Sequence, residues 1–226
     1  MPYLPRVKIC CIGSLDEARL AIDCGANALG LVSSMPSGPG VIPDEVIAQV
    51  AGSTPPGVTS VLLTAEQGAR EIIDQQRRLG PRAIQLVDYV APAEYSELRA
   101  SLPGIALIQV IHVTGPEAVE QALEASRFAD ALLLDSGNPS LTVKELGGTG
   151  RTHNWEISRE ICARSAVPVF LAGGLSAGNV AEAIRQVHPY GVDVCSGVRT
   201  AGRLDRDKLG AFMQAVRSSW ELLPVL

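Results

Sequence analysis

Eight short apolar runs, each followed by an amphipathic helical pattern, recur along the chain. They begin near Val7 (VKICCI), Ala28 (ALGLV), Thr59 (TSVLLT), Ala83 (AIQLV), Ile105 (IALIQVIHV), Ala131 (ALLLD), Val167 (VPVFLA) and Gly191 (GVDVC). The runs are mostly apolar rather than alternating, which suits parallel strands covered by helices. An open doubly wound sheet rarely reaches eight regular units in a chain of 226 residues. The pattern therefore predicts an α/β fold, one closed (β/α)8 TIM barrel. No linker or composition shift interrupts it, so residues 1–226 are expected to form a single barrel domain. In such a barrel the chemistry sits at the C-terminal ends of the strands.

Helix boundaries are also readable. Ser14 and Glu17 fit a capping box, and Gly25 suits the position just past the helix. Thr64 with Gln67, and Thr114 with Glu117, repeat the box. Val180, Ala183, Ile184 and Val187 form one helix face for packing on a sheet. Two connections are unusual: Val32 to Ile42, containing SSMPSGPG, and Ser136 to Asn154, containing ELGGTGRTHN. Long loops on the catalytic face are usually lids or binding loops. The apolar end, Trp220 to Leu226, is expected to pack on the barrel bottom or to form a dimer contact.

Charge and cysteine usage narrow the setting. The net charge is −5, and no Lys/Arg cluster marks a nucleic-acid partner. No run of about 18 apolar residues indicates a membrane span, and the N-terminus lacks a signal core. The five cysteines, at 10, 11, 24, 162 and 195, are odd in number and include no C-x-x-C. A reducing cytoplasm with free thiols is the expected compartment.

Alternation along the first strand places Lys8, Cys10 and Ile12 on one face. A Lys inside a barrel needs an anionic partner. Cys10 is then either a small buried hydrophobe or a base at the barrel mouth. Cys11, of opposite parity, is expected to face the helices. Asp135 ends an apolar strand, either capping a loop or acting as an acid or base. Asp193 lies within an apolar strand, where a charge is costly unless paired, and Lys8 is the candidate partner. Gly-rich turns follow late strands at Gly147–Gly150, Gly173–Gly174 and Ser196–Gly197. Each alone reads as a tight turn; together they match a barrel phosphate site built from backbone N–H groups. His153 and His188 lack the neighbours a metal site needs.

The segments KICCI, LLLDS, GGTGRTHNW, LAGGLSAGNV and GVDVCSGVR resemble the motifs of the phosphoribosylanthranilate isomerase family. Those motifs are K-I-C-G-I, L-L-D-S, G-G-T-G-[KR]-x-F-D-W, L-A-G-G-L-x-x-x-N-V and G-V-D-x-S-S-G-V-E, in the same order and spacing. The resemblance implies an Amadori rearrangement of an aminoaldose phosphate, in tryptophan biosynthesis. It implies Cys10 as general base and Asp135 as general acid. Lys8, Asp193, Gln85 and Arg151 would bind substrate, and Gly148, Gly150, Gly173, Gly174, Ser196 and Gly197 the phosphate. A phosphorylated sugar is the implied partner of a monomer or homodimer, with no metal or organic cofactor.

The chain departs from the pattern on the aryl side. The S-P-R of the second loop is replaced by Ser37-Gly38-Pro39-Gly40, removing an Arg that faces a carboxylate. Q-L-H-G becomes Gln85-Leu86-Val87-Asp88, K-A-[FI]-R becomes Gln109-Val110-Ile111-His112, and the final Glu becomes Arg199. Arg151, His153 or Arg199 are the candidates to replace the lost contact. The departures also admit another sugar-phosphate isomerase or lyase, or a non-catalytic phosphometabolite-binding barrel.

Overall fold

The computed structural model describes residues 4–138, 141, 144, 146 and 150–221. Eight parallel strands close into a barrel, in chain order. They are β1 (Arg6–Ile9), β2 (Ala28–Val32), β3 (Thr59–Thr64), β4 (Ala83–Leu86), β5 (Ala106–His112), β6 (Ala131–Asp135), β7 (Val169–Leu171) and β8 (Gly191–Val194). Closure comes from β1 pairing with both β2 and β8, with Lys8 opposite Asp193 in the β1–β8 register. Between the strands run α1 (Leu15–Asp23), α2 (Asp44–Ser53), α3 (Ala69–Leu79), α4 (Pro92–Ser101), α5 (Ala118–Ala125), α6 (Trp155–Arg164) and α7 (Val180–Val187). A small hairpin, β9 (Arg199–Thr200) with β10 (Arg203–Leu204), precedes α8 (Arg206–Glu221). Among the described residues no helix is long and apolar enough to cross a membrane.

Strand alternation divides the buried residues into two clusters. Ile9, Leu29, Leu31, Leu62, Ile84 and Leu132 pack with helix residues such as Ile47, Ile72, Leu98 and Phe212. The alternate strand residues, among them Cys10, Ala28, Val61, Leu63, Ala83, Ile108, Val110 and Leu133, form a second cluster without helix residues. That second cluster is the barrel interior, filled by side chains as the closed architecture requires.

Two of the three expected capping boxes are absent, and the third is altered. Ser14 Oγ accepts from Glu17 N at 3.2 Å, as expected, but the Glu17 carboxylate reaches Gly13 N, Arg199 and Leu204 N. Thr64 is the last residue of β3, and its hydroxyl donates to Gln75 Oε1 at 2.6 Å. Helix α3 begins only at Ala69, so Thr64 caps nothing. Thr114 donates to the Glu117 carboxylate at 3.0 Å instead of accepting from the backbone, and α5 starts with Glu117 at its N-cap. In both cases a side-chain acceptor takes the hydroxyl proton, Gln75 of α3 for Thr64 and the neighbouring Glu117 for Thr114. Gly25 does follow α1 with φ +98°, and the Val180, Ala183, Ile184 and Val187 face of α7 is fully buried. The apolar tail beyond α8, residues 222–226, lies outside the described residues.

Candidate active site

The C-terminal ends of the strands surround a cavity. Its walls include Cys10 and Cys11 just past β1, Gln85 of β4 and Val87 just past it, Asp135 of β6, and Asp193 of β8 with Cys195 just past it. Residues of the second loop, Met35, Ser37, Gly38 and Pro39, close one side, and Leu146 reaches in from the long loop after β6. The turns contribute Gly150, Gly173, Gly174 and Ser196. Acid, base and phosphate candidates therefore share one cavity at one end of the barrel.

Beneath it lies an ion pair. Lys8 Nζ donates to Asp193 Oδ1 at 2.8 Å, and Lys8 is only 1% exposed. Burial works against the Lys8 charge, but the Asp193 carboxylate and then the Cys10 thiol outweigh it and raise its pKa. Lys8 does not reach the cavity wall. It holds Asp193, whose other side lines the cavity.

The room for this pair comes from Gly30, which no periodicity in the sequence marks. Gly30 lies on the interior face of β2, and its backbone is ordinary. A Cβ there would stand 2.9 Å from Cys10 Sγ and 3.1 Å from Lys8 Nζ. Gly30→Ala is expected to cost about 1–3 kcal/mol by overpacking. It should also displace Cys10, so thermal melting and turnover should fall together. A Gly30→Ala variant with the parent's melting temperature and turnover would refute the close fit.

Asp135 accepts from Ser136 N at 2.7 Å. Burial first, and then the neighbouring Asp193 charge, raise its pKa against the opposing Ser136, His112 and Lys8 contributions. A raised pKa favours the protonated carboxyl, the form from which a proton can be delivered.

The Gly-rich turns are built by close backbone approach. Gly174 has φ +61°, and a Cβ on it would meet the Arg151 carbonyl carbon at 2.6 Å. Asn179 fixes this turn, accepting from Ser176 N at 2.8 Å and donating to Gly174 O at 3.0 Å. Gly197 lies behind the wall, bridged to Ser176, and a Cβ there would overlap the Leu175 carbonyl oxygen. Gly148 lies outside the described residues.

Several expectations require correction. Cys11 does not face the helices. Strand β1 ends at Ile9, and Cys11 takes a left-handed backbone with φ +61°, which breaks the alternation and turns its side chain into the cavity. The three candidates for a replacement cation do not line the cavity. Arg199 is locked to the Glu17 carboxylate at 3.0 Å and to the Cys10 and Cys11 carbonyl oxygens. His153 bonds Ser158 Oγ at 2.7 Å, and burial lowers its pKa to about 4. Arg151 lines a separate cleft with Ser136 and Thr152. The strand-five residues Gln109 and His112 face a cavity of about 410 Å³ between α4 and α5, outside the barrel. What reasoning from sequence missed is the long loop's route. Lys144 pairs with Asp88, Ser37 Oγ donates to the Lys144 carbonyl, and Leu146 enters the cavity. No periodic signal in the loop marks those contacts.

Among the described residues no cluster of three or more His, Cys, Asp or Glu has metal-binding geometry.

Known proteins match this chain over nearly its whole length. Residues 7–215 match the family model described as N-(5′-phosphoribosyl)anthranilate isomerase. A protein of that name from Halorubrum lacusprofundi is 38% identical over 97% of this chain and 100% of its own length. The phosphoribosylanthranilate isomerase structure from Thermotoga maritima is 29% identical, with a TM-score of 0.81, covering 95% of this chain and 99% of that one. A further phosphoribosylanthranilate isomerase structure, in complex with reduced 1-(o-carboxyphenylamino)-1-deoxyribulose 5-phosphate, is 27% identical with a TM-score of 0.78, covering 95% and 99%. With its barrel, its motif order and relatives matched over nearly their whole length, the chain belongs to the N-(5′-phosphoribosyl)anthranilate isomerase family.

Proposed function

We propose that this chain isomerises N-(5-phosphoribosyl)anthranilate to the corresponding carboxyphenylamino-deoxyribulose phosphate. The observation that carries the reading is the single cavity shared by Cys10, Asp135 and the Gly-rich turns. Asp135, whose protonated form burial favours, gives its proton to the furanose ring oxygen as the C1–O bond breaks. This leaves a Schiff base between C1 and the anthranilate nitrogen. Cys10 then removes the proton from C2, and the enolamine takes up a proton at C1 as C2 becomes a ketone. C1 is reduced and C2 oxidised within one molecule, so the rearrangement balances internally. Strands β1 and β6 are separated by β7 and β8, which lets base and acid address the sugar from different sides.

Backbone N–H groups of the turns at Gly173, Gly174 and Ser196, with Gly150 beside Ser196, suit the phosphate. The apolar wall of Val32, Met35, Leu63, Val87 and Leu146 suits an aryl ring. Gln85 is buried there, and its Oε1 has no partner among the described residues. The Lys8–Asp193 pair positions the floor beneath Cys10.

Growth of a tryptophan auxotroph lacking this isomerase, supplied with this chain, tests the reading. Rescue is expected. Failure to rescue by folded, expressed protein overturns it. Inorganic phosphate should compete with substrate, and Gly174→Ala should weaken that competition about tenfold, the loss of one hydrogen bond to a charged group. Unchanged phosphate inhibition in folded Gly174→Ala protein would remove the turn from the phosphate site.

A further inference from the structure

Two departures from the family motifs meet at one point. The motif K-I-C-G-I has Gly where this chain has Cys11, and the strand-eight motif has Ser where it has Cys195. These residues are 184 positions apart, yet their Sγ atoms lie 2.7 Å from one another. Both line the candidate active-site cavity, so a small reagent entering the mouth reaches them. The third departure, Arg199, stands beside them, bonded to the Cys11 carbonyl oxygen.

We propose that Cys11 and Cys195 form a redox-modification site, closed to a disulfide by a peroxide entering the active-site mouth, which switches the enzyme off reversibly. A disulfide needs its sulfurs about 2.05 Å apart, so only a small approach separates the two states. The two thiols are unequal. The Cys11 hydrogen bond and then the Arg199 charge lower the Cys195 pKa against burial. Cys11 is held above the ordinary thiol range by its hydrogen bond to Cys10, then by Cys195 and burial. Thiolate character marks the attacking sulfur.

The chemistry then runs in two balanced steps. The Cys195 thiolate attacks one peroxide oxygen and the O–O bond breaks. The departing hydroxide takes a proton and leaves as water, and Cys195 becomes a sulfenic acid. Cys11 Sγ attacks the sulfenic sulfur, its proton leaves with the hydroxyl as a second water, and the S–S bond forms. Two thiols are oxidised and one hydrogen peroxide is reduced to two waters. A dithiol reverses the change by thiol–disulfide exchange.

Inactivation follows from position. Cys11 is bonded in sequence to Cys10, the proposed base, and its Sγ lies 3.7 Å from the Pro39 carbonyl oxygen of the second loop. Drawing Cys11 toward β8 removes that S–H contact and shifts the Cys10 backbone. Since a displacement of about 1 Å can cost about 10²-fold in rate, at least about a tenfold loss of turnover is expected.

The test treats the reduced protein with hydrogen peroxide, then maps peptides without reduction and assays turnover. Expected is a cross-linked pair carrying Cys11 and Cys195, lighter by two hydrogen atoms, with activity lost and restored by dithiothreitol. Cys10→Ser should keep the cross-link and Cys11→Ser should lose it. A cross-link that survives Cys11→Ser, or none at all, overturns the site. Cys195→Ser should resist peroxide, measured against its own untreated activity. If it inactivates as fast as the parent, oxidation of Cys10 alone explains the loss and the switch is overturned. The activity arm rests on the isomerase reading, whereas the mass arm does not, so the two fail separately.

Discussion

Asp135→Asn is expected to turn over at least about a hundredfold more slowly, the floor for loss of a general acid, and yet to melt at a higher temperature than the parent. The first effect removes the proton that opens the furanose ring. The second follows from linkage. Burial and Asp193 raise the Asp135 pKa in the folded state, so folding opposes its ionisation. Stability from such a group is fully present below its unfolded pKa of about 3.9 and is lost as pH rises through the folded value. At neutral pH the parent bears that loss and the neutral amide does not. The amide oxygen can still accept from Ser136 N, so the loop contact survives. Each kcal/mol gained raises the melting temperature by about 2–4 °C in a chain of this size. The gain should vanish as pH falls below about 4. An Asp135→Asn protein that melts lower than the parent at pH 7 would contradict the electrostatic account. Cys10→Ser should lose at least about a hundredfold in turnover too, without this stability gain, because its hydroxyl is a far poorer base.

Replacing Lys8 by Met should destabilise the fold by about 3–5 kcal/mol, the cost of leaving a buried charge unpaired. Lys8 and Asp193 face each other across β1 and β8, where the barrel closes, and both are buried. The effect should depend on the partner. Lys8→Met with Asp193→Leu removes both charges and should recover most of the lost stability, as apolar replacement of buried pairs often does. Chemical denaturation of the two single variants and the double variant measures the coupling. Independent, additive losses would show that the pair does not act as a unit. The double variant should remain poorly active even when stable, because Asp193 also lines the cavity beside Asp135. Stability and function thus separate at this pair.

The eight apolar runs by themselves determined the barrel. Their continuity reflects burial on both faces, a condition that acts on each strand locally and so is written locally. All eight runs became strands, and Gly150, Gly173, Gly174 and Ser196 came to the same end as Cys10 and Asp135 because every parallel strand points the same way round the barrel. The Lys8–Asp193 pair was legible for a related reason: a lone charge in each of two apolar strands demands a partner. Only the tertiary structure decided the rest. Cys11 entered the cavity because a left-handed turn ended the alternation on which its assignment depended. Arg199 was taken by Glu17, 182 residues away, and His153 by Ser158 of the helix that follows it. Gly30 mattered only for what stands opposite it. Local period is a property of neighbours in sequence, whereas the partner of a polar group and the space left for a side chain belong to elements that only the closed barrel brings together.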